Sequence, residues 1–330
     1  GATILLRGDM DALPMQEETG LDFASKIDGR MHSCGHDAHT SMLATAAHML
    51  CGHRDRLKGD IKFMFQPGEE GYRGAKIMLD EGIIAEGGEP DAVFGMHVDP
   101  MRATGIIGGR EGNALAAADT YHIKIIGRGS HGARPHDGND PVPVACHLVT
   151  ALQTVVTRRV NVWDPVVLTV GVIQAGTASN IIPEFATMSI TLRSFSDASR
   201  DLAERLITNL AEQTALAHEM RAEVKVVRGY PPTINDGGFV NLVEGAVNNN
   251  FGQGAFARDR DPRMGSEDFS YILQRYTGAF VFLGCAPKGV DPAKAHSNHS
   301  PYMMIDEEAM AMGAAAHAAV AFEFLNGGTE

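Results

Sequence analysis

The run Thr3-Ile4-Leu5-Leu6 is the first of three short apolar segments that decide the fold of the amino-terminal part of the chain; the others are Ile61–Phe65 and Ala92–Met96. Between the first two, apolar residues recur at three-to-four spacing over Thr40–Cys51, which predicts a helix. A second helix is expected near Gly74–Asp80. Strands that alternate with helices are typical of α/β architecture with a largely parallel sheet.

The middle of the chain changes rhythm and predicts a second domain. Its apolar patterns read β, α, β, β, α, β over Tyr121–Ile126, Pro141–Arg159, Val166–Ile173, Thr187–Phe195, Ser199–Met220 and Glu223–Val227. That order is typical of a ferredoxin-like (split βαβ) fold. Because α/β character returns with a strand at Phe280–Leu283 and a helix at Glu307–Phe324, we predict an α/β domain of residues 1–112 and 229–330, interrupted by an inserted domain of residues 113–228.

Composition limits the possible partners and the compartment. The net charge of −13 repels phosphate backbones and no basic cluster offsets it, so no nucleic-acid partner is expected. No apolar stretch is long enough to cross a bilayer, so no membrane partner is expected. The four cysteines lie far apart with no CxxC pair, which favours a reducing cytoplasm. The chain begins without Met inside a predicted strand, so we expect an amino-terminal segment before it.

The segment Met31–His39 places a thiol, three imidazoles and a carboxylate just before a predicted helix. Cys34 and His36 stand two positions apart, so in an extended loop both can reach one cation. The alternative interpretation is a helix cap by Asp37 or Thr40 with solvated histidines. The residue types and spacing favour metal.

Three further groups of polar side chains follow predicted strands. Glu69 and Glu70 come after Ile61–Phe65, where one carboxylate could bind a metal while its neighbour acts as a general base. His97 directly follows the predicted strand at residues 92–96, at the sheet edge where ligands bind in open α/β folds. His296 and His299 follow the strand at residues 280–283. Each group alone is also compatible with a solvated turn, a core histidine or a polar surface loop.

Two other interpretations are weaker. Gly127–Gly132 fits the GxGxxG pattern, but Pro135 and the residues after it prolong a loop where a dinucleotide site requires a helix. A thiol redox function at Cys34 lacks a resolving cysteine nearby. We therefore expect neither NAD binding nor redox chemistry.

Taken together, these motifs resemble the M20 metallopeptidase family, and within it the amidohydrolase branch that includes hippurate hydrolases, N-acyl-amino acid amidohydrolases and auxin-conjugate hydrolases. The resemblance extends over nearly the whole chain. It rests on Arg7–Pro14, Met31–His39, Phe65–Glu70, His97, Gly129–His136, Asn180–Pro183, Gly265–Phe269 and His299–Pro301.

The resemblance implies a metallopeptidase-type α/β catalytic domain that binds two divalent metal ions, with Glu69 as the catalytic base. The metal ligands that it implies are Cys34, His36, Glu70, His97 and His299. Because a thiolate is a soft ligand, Mn, Zn, Co or Ni is expected in preference to Mg or Ca.

The same resemblance implies that the inserted domain is a lid and a dimerisation domain, so a homodimer is expected. His131, Asn180 and Arg193 of that domain would bind substrate. An arginine suits a substrate carboxylate because its planar fork donates two parallel hydrogen bonds.

The sequence thus predicts a metal-dependent amidohydrolase that cleaves the amide bond of N-acyl amino acids such as hippurate or N-acetyl amino acids. A dipeptidase or deacetylase of the same family would share every residue named above. A non-catalytic relative that binds a metal or an amino acid derivative is the alternative outside enzymes.

Overall fold

The computed structural model describes residues 1–327, and its contacts divide the chain into two compact units. The first unit comprises Gly1–Ala114, Thr233–Pro262 and the described residues from Glu267 onward. The second comprises Leu115–Pro232 and Arg263–Ser266.

Seven helices and fourteen strands are formed within the described residues. The helices are α1 (His36–Cys51), α2 (Gly74–Asp80), α3 (Pro141–Arg158), α4 (Asp197–Ala217), α5 (Gly237–Phe251), α6 (Ser270–Leu273) and α7 (Glu308–Asn326). The strands are β1 (Ala2–Asp9), β2 (Gly59–Gln66), β3 (Ala92–Asp99), β4 (Ile107–Gly109), β5 (Gly112–Leu115), β6 (Ala117–Ile126), β7 (Ser130–His131), β8 (Val166–Ala175), β9 (Ile181–Ile182), β10 (Phe185–Ser194), β11 (Arg221–Arg228), β12 (Thr233–Asn235), β13 (Phe256–Arg258) and β14 (Gly278–Gly284).

The first unit is built on a mixed six-stranded sheet in the order β13-β4-β14-β3-β1-β2. All neighbouring strands are parallel except β14 and β4. Its apolar core includes Ile4, Leu6 and Phe94, which are fully buried. This sheet and its helices confirm the predicted α/β class.

Helices α1 and α7 pack against each other and against β1. The contact is close, because a Cβ atom on Gly313 of α7 would lie 2.0 Å from the Sδ atom of Met42 in α1. Helix α1 begins one turn earlier than the predicted Thr40, since Gly35 adopts the left-handed conformation that starts the helix at His36. In residues 1–327 we find no helix that combines the length and the apolar character needed to cross a bilayer.

The parallel arrangement brings the strand ends that carry the chemistry to one edge of the sheet. Strand β1 ends at Asp9, which pairs in register with Gln66 at the end of β2. Strand β3 runs parallel to β1 and contains His97 near its carboxyl end. The loops that follow these strands therefore start from the same edge.

The second unit contains a four-stranded antiparallel sheet in the order β11-β6-β10-β8. Helices α3 and α4 pack against this sheet, so the element order is β, α, β, β, α, β. Its core is formed by alternating strand residues such as Tyr121 and Ile190 and by helix residues such as Leu148 and Ile207. The predicted ferredoxin-like insertion is thereby confirmed.

His317 of α7 gives the first unit a titratable group inside its core. The side chain is buried beside the ring of Phe94, and burial lowers the pKa of His317 to about 4. Between pH 6.5 and pH 4 the folded protein therefore binds fewer protons at this site than the unfolded chain. The free energy of unfolding should fall as the pH falls through this window, by up to about 3 kcal/mol from this group. We expect His317→Leu to flatten this pH dependence, which denaturant unfolding at each pH measures. The control, the same substitution at the exposed His48, should leave the pH dependence unchanged. An unaltered slope in His317→Leu would contradict the assignment.

Candidate metal centre

The turn at Cys34, Gly35 and His36 sets the position of the first two predicted ligands. Gly35 has φ 86°, and a Cβ atom there would lie 2.3 Å from Cγ2 of Val98. Only glycine combines this left-handed backbone with such a close approach. As a result Cys34 ends the loop and His36 begins α1, and both side chains are buried.

The structure brings all five predicted ligands into two groups that share Cys34. In the first group, donor atoms of Cys34, His36 and His97 lie within 4.8 Å of one another. In the second, donor atoms of Cys34, Glu70 and His299 do so. The Sγ atom of Cys34 lies 3.3 Å from Nε2 of His97, and Nε2 of His299 lies 3.0 Å from Oε1 of Glu70.

Residue His299 comes from the far end of the sequence, and two backbone contacts hold it at the centre. The His299 amide donates to the carbonyl of Ser33 at 2.8 Å, and the Asn298 side chain donates to the carbonyl of Cys34 at 3.0 Å. The loop before α7 is thereby fastened to the loop before α1.

The histidines are oriented as metal-binding histidines usually are, with one ring nitrogen held by a protein oxygen. Nδ1 of His97 donates to the carbonyl of Val98 at 2.8 Å, which leaves Nε2 without a proton. Nδ1 of His36 lies 3.3 Å from Oδ1 of Asp11. Nε2 of His36 is buried and has no hydrogen-bond partner among the described residues. The centre thus brings together a sulfur, imidazole nitrogens and a carboxylate, a set of donor atoms that fits divalent transition-metal ions.

Electrostatics also favour a cation. Burial and the charge of Glu70 raise the pKa of the Cys34 thiol, so a thiolate here needs a positive partner. Burial alone would raise the pKa of Glu70. The hydrogen bond with His299 and the neighbouring charges together outweigh burial, so the pKa of Glu70 is lowered. A bound cation would take over the role of the His299 proton.

Asp11 organises the centre although sequence reasoning assigned it no role. Its two carboxylate oxygens accept the backbone N–H groups of Glu69 at 3.0 Å and Glu70 at 2.9 Å, and Oδ1 also faces His36. The sequence feature that could have pointed to Asp11 is its place in the Arg7–Pro14 segment, which contributes to the family resemblance. Its function depends on a loop 58 residues further along the chain.

His39, by contrast, is fully engaged in structural hydrogen bonds. Its Nδ1 atom lies 2.5 Å from Oδ1 of Asp9, and its Nε2 atom accepts the backbone N–H of Val98 at 2.9 Å. Burial lowers the pKa of His39 to about 3, so the ring is neutral. Because both ring nitrogens are hydrogen-bonded, His39 has no nitrogen left to coordinate a metal, and it supports the centre structurally.

Glu69 lies beside a buried carboxylate cluster. Donor atoms of Glu69, Glu267 and Asp268 lie within 4.8 Å of one another, and all three residues are buried. Burial and the charges of Glu267 and Asp268 raise the pKa of Glu69 well above its usual range. A carboxylate with a raised pKa can take a proton and keep it, as a general base that later acts as an acid must do.

The guanidinium of Arg7 compensates the charges of this cluster. It is fully buried and donates to Glu267 at 2.7 Å and to Gln66 at 2.9 Å. It also pairs with Asp9 at 2.8 Å and with Asp268 at 3.4 Å. One arginine thus connects the carboxylate that holds His39 with the cluster around Glu69.

The predicted substrate-binding residues lie in the second unit. His131 is in β7, which pairs with β9, and the amide of Gly132 donates to the carbonyl of Asn180 at 2.7 Å, so His131 and Asn180 are neighbours. Arg193 lies in β10, where its guanidinium donates to Oγ of Ser266 at 3.0 Å. After Gly127–Gly132 a short 3-10 turn covers Pro135–Asp137, and the first α-helix is α3, which begins at Pro141.

Comparisons with known proteins agree with this geometry. A family model described as Peptidase family M20/M25/M40 matches residues 5–323. The N-acetyl-L-cysteine deacetylase of Bacillus subtilis (strain 168) is 39% identical over 310 residues, which cover 94% of this chain and 71% of the relative. The hippurate hydrolase of Campylobacter jejuni subsp. jejuni is 36% identical over 278 residues, covering 84% and 72%.

A solved structure supports the same relationship. The YXEP protein of Bacillus subtilis, described as a dinuclear metal binding peptidase from the M20 family, has a TM-score of 0.83 and 33% identity, covering 98% of this chain and 82% of that one. The chain therefore belongs to peptidase family M20/M25/M40, in its amidohydrolase branch. The predicted class, a metal-dependent hydrolase, is confirmed.

Arg7 should be indispensable for the stability of the first unit. Replacing it with Met leaves Asp9, Glu267 and Asp268 buried without their cation, which we expect to lower the free energy of unfolding by about 3–5 kcal/mol at neutral pH. The loss should shrink at pH 5, because protonation relieves the uncompensated charge. Thermal denaturation at both pH values tests this, with the exposed Arg54→Met as the control. Equal stability of Arg7→Met and the unmodified protein at pH 7 would contradict this account.

Proposed function

We propose that the protein hydrolyses the amide bond of N-acyl amino acids and releases a carboxylic acid and a free amino acid. The observation that carries this proposal is the pair of three-donor groups sharing Cys34, placed beside the buried carboxylate of Glu69. The relatives named for deacetylation of N-acetyl-L-cysteine and hydrolysis of hippurate support the substrate class.

In this proposal two divalent ions are held by Cys34, His36, Glu70, His97 and His299. Such a pair, when bound, lowers the pKa of a water molecule and polarises the scissile carbonyl. The soft thiolate of Cys34 favours Mn, Zn, Co or Ni.

Glu69 serves as the catalytic base. Its backbone is fixed by Asp11, and its carboxylate lies in the cluster that raises its pKa. Glu69 takes a proton from the attacking water and then delivers it to the departing amine. The carboxylate therefore returns to its ionised form at the end of each turnover, and no covalent intermediate forms.

The inserted domain supplies the substrate contacts in this proposal. The guanidinium of Arg193 would bind the substrate carboxylate, and His131 and Asn180 would donate to the acyl group or its oxyanion. Support comes from the guanidinium of Arg193, which donates to Oγ of Ser266 among the described residues and has further N–H donors for a carboxylate.

We also propose a homodimer formed through the inserted domain, in the cytoplasm. Strand β8 is an edge strand of the antiparallel sheet, and its apolar side chains Val172 and Ile173 are 46% and 47% exposed. An apolar edge strand with free backbone groups is suited to pairing with a second copy. The widely spaced cysteines favour a reducing compartment.

A narrower form of this proposal is a deacetylase that prefers N-acetyl amino acids to hippurate-like substrates, since the N-acetyl-L-cysteine deacetylase is 39% identical to this chain. It would use the same residues in the same roles. A substrate panel of hippurate and N-acetyl amino acids, assayed with Mn, Zn, Co and Ni in turn, separates the two by the ratio of kcat/KM values.

The base and the ligands should respond differently to substitution. Glu69→Gln keeps the shape of the side chain but cannot take a proton, so we expect kcat to fall by roughly a thousandfold or more while metal content is unchanged. Glu70→Gln and His97→Ala should lower the metal content itself. Metal analysis of the purified variants, together with release of glycine from hippurate, measures both effects, and the exposed Glu81→Gln is the matched control. Turnover retained by Glu69→Gln would remove Glu69 from its role.

A further inference from the structure

The loop between β2 and α2 carries both Glu69 and Glu70, and its backbone is not one that a loop adopts by default. Gly68 and Gly71 have positive φ values of 67° and 85°, and Arg73 is left-handed with φ 61°. A left-handed residue other than glycine costs roughly 1–2 kcal/mol. The surrounding structure must therefore hold this loop in place.

Asp268 contacts the loop at both of its ends. At the entry, Nε2 of Gln66 donates to Oδ1 of Asp268 at 2.7 Å. At the exit, the backbone N–H of Ala75 donates to Oδ2 at 2.9 Å. Between these ends, the backbone N–H of Asp268 points to Oε1 of Glu69 at 3.4 Å. The side chain of Asp268 is 0% exposed, so it cannot contact substrate itself.

We propose that Asp268 is a positioning residue for Glu69: its carboxyl group joins the two ends of the base-carrying loop and so fixes where the Glu69 carboxylate lies. This inference rests on the proposed function, because it assigns Asp268 a role in the reaction through Glu69. It assigns no contact between Asp268 and a metal or a substrate.

The hydrogen bond at the loop entry has a fixed direction. Nε of Arg7 donates to Oε1 of Gln66 at 2.9 Å, so the amide of Gln66 cannot rotate without turning its NH2 group toward a cation. Its NH2 group must therefore face Asp268. In Asp268→Asn, an amide oxygen can still accept from Ala75, but its NH2 group then opposes the NH2 group of Gln66, and the entry contact is lost.

A second substitution can restore the contact with reversed polarity. In the double variant Gln66→Glu with Asp268→Asn, the new carboxylate accepts both from Arg7 and from the amide of the new asparagine. The total charge of the pair is the same as in the unmodified protein. Comparison of the single and double variants therefore shows whether activity requires this contact or requires a negative charge at position 268.

The test measures hydrogen exchange of the metal-free protein and kinetics of the metal-loaded protein. In Asp268→Asn we expect backbone exchange over residues 68–75 to rise about tenfold. We expect kcat to fall by about 10- to 100-fold, since a displacement of about 1 Å at a reacting group has effects of that size. KM should stay within about twofold, because the substrate contacts are retained. Metal content should also stay within about twofold, because Asp11 still holds the backbone N–H of the ligand Glu70. The double variant should recover most of both losses.

Gln66→Met provides an independent variant if Asp268→Asn does not yield folded protein, because it removes the same entry contact without changing charge. Asp306→Asn is the matched control, a buried carboxylate of the same unit that accepts the backbone N–H of Glu308 at 3.2 Å and lies 4.0 Å from Nζ of Lys288. Unchanged exchange and kcat in Asp268→Asn, or a double variant that recovers neither, would overturn the inference. Absence of turnover in the unmodified protein would instead overturn the proposed function, and the exchange measurement would still decide whether Asp268 holds the loop.

Discussion

The buried guanidinium of Arg7 is the interaction on which the rest of the centre depends. It lies over the rings of Phe269 and Phe280, at 5.5 and 5.9 Å from their centroids. It also contacts the carboxylates of Asp9, Glu267 and Asp268. An arginine stays charged in any protein environment, so it can stabilise several buried anions at once. Through Asp9 it reaches the histidines of α1, and through Glu267 and Asp268 it reaches the loop of Glu69. One cation in β1 therefore stabilises both the carboxylate that contacts the α1 histidines and the carboxylates beside the loop of Glu69.

The parallel sheet then determines which loops can meet. Strands β1, β2 and β3 end at one edge, so Asp11, the Glu69-Glu70 pair and His97 come together although the chain separates them by tens of residues. The loop before α1 adds Cys34 and His36, and the loop before α7 adds His299 through its contact with Ser33. Because Cys34 belongs to both donor groups, two cations bound there would share one sulfur.

The α/β class and the ferredoxin-like insertion could be predicted from apolar periodicity. The set of five candidate ligands could be predicted because the motifs that carry them, from Cys34 to His299, resemble the M20 family. The supporting residues could not. Asp11, Arg7 and Asp268 act through contacts with residues 58 or more positions away, and a carboxylate or arginine in a sequence does not reveal its distant partners. His39 shows the opposite difficulty: its position in the Met31–His39 motif resembles that of a ligand, yet both ring nitrogens are occupied by Asp9 and Val98.

A crystal structure of the metal-loaded protein, with anomalous data collected at the absorption edge of the metal supplied, tests the central claim most directly. The account predicts two anomalous peaks, both within bonding distance of the Cys34 sulfur, which is about 2.3 Å for zinc. One peak should also contact His36 and His97, and the other Glu70 and His299, with Glu69 beside them and bound to neither. A single peak, or two peaks that do not share Cys34, would contradict the account.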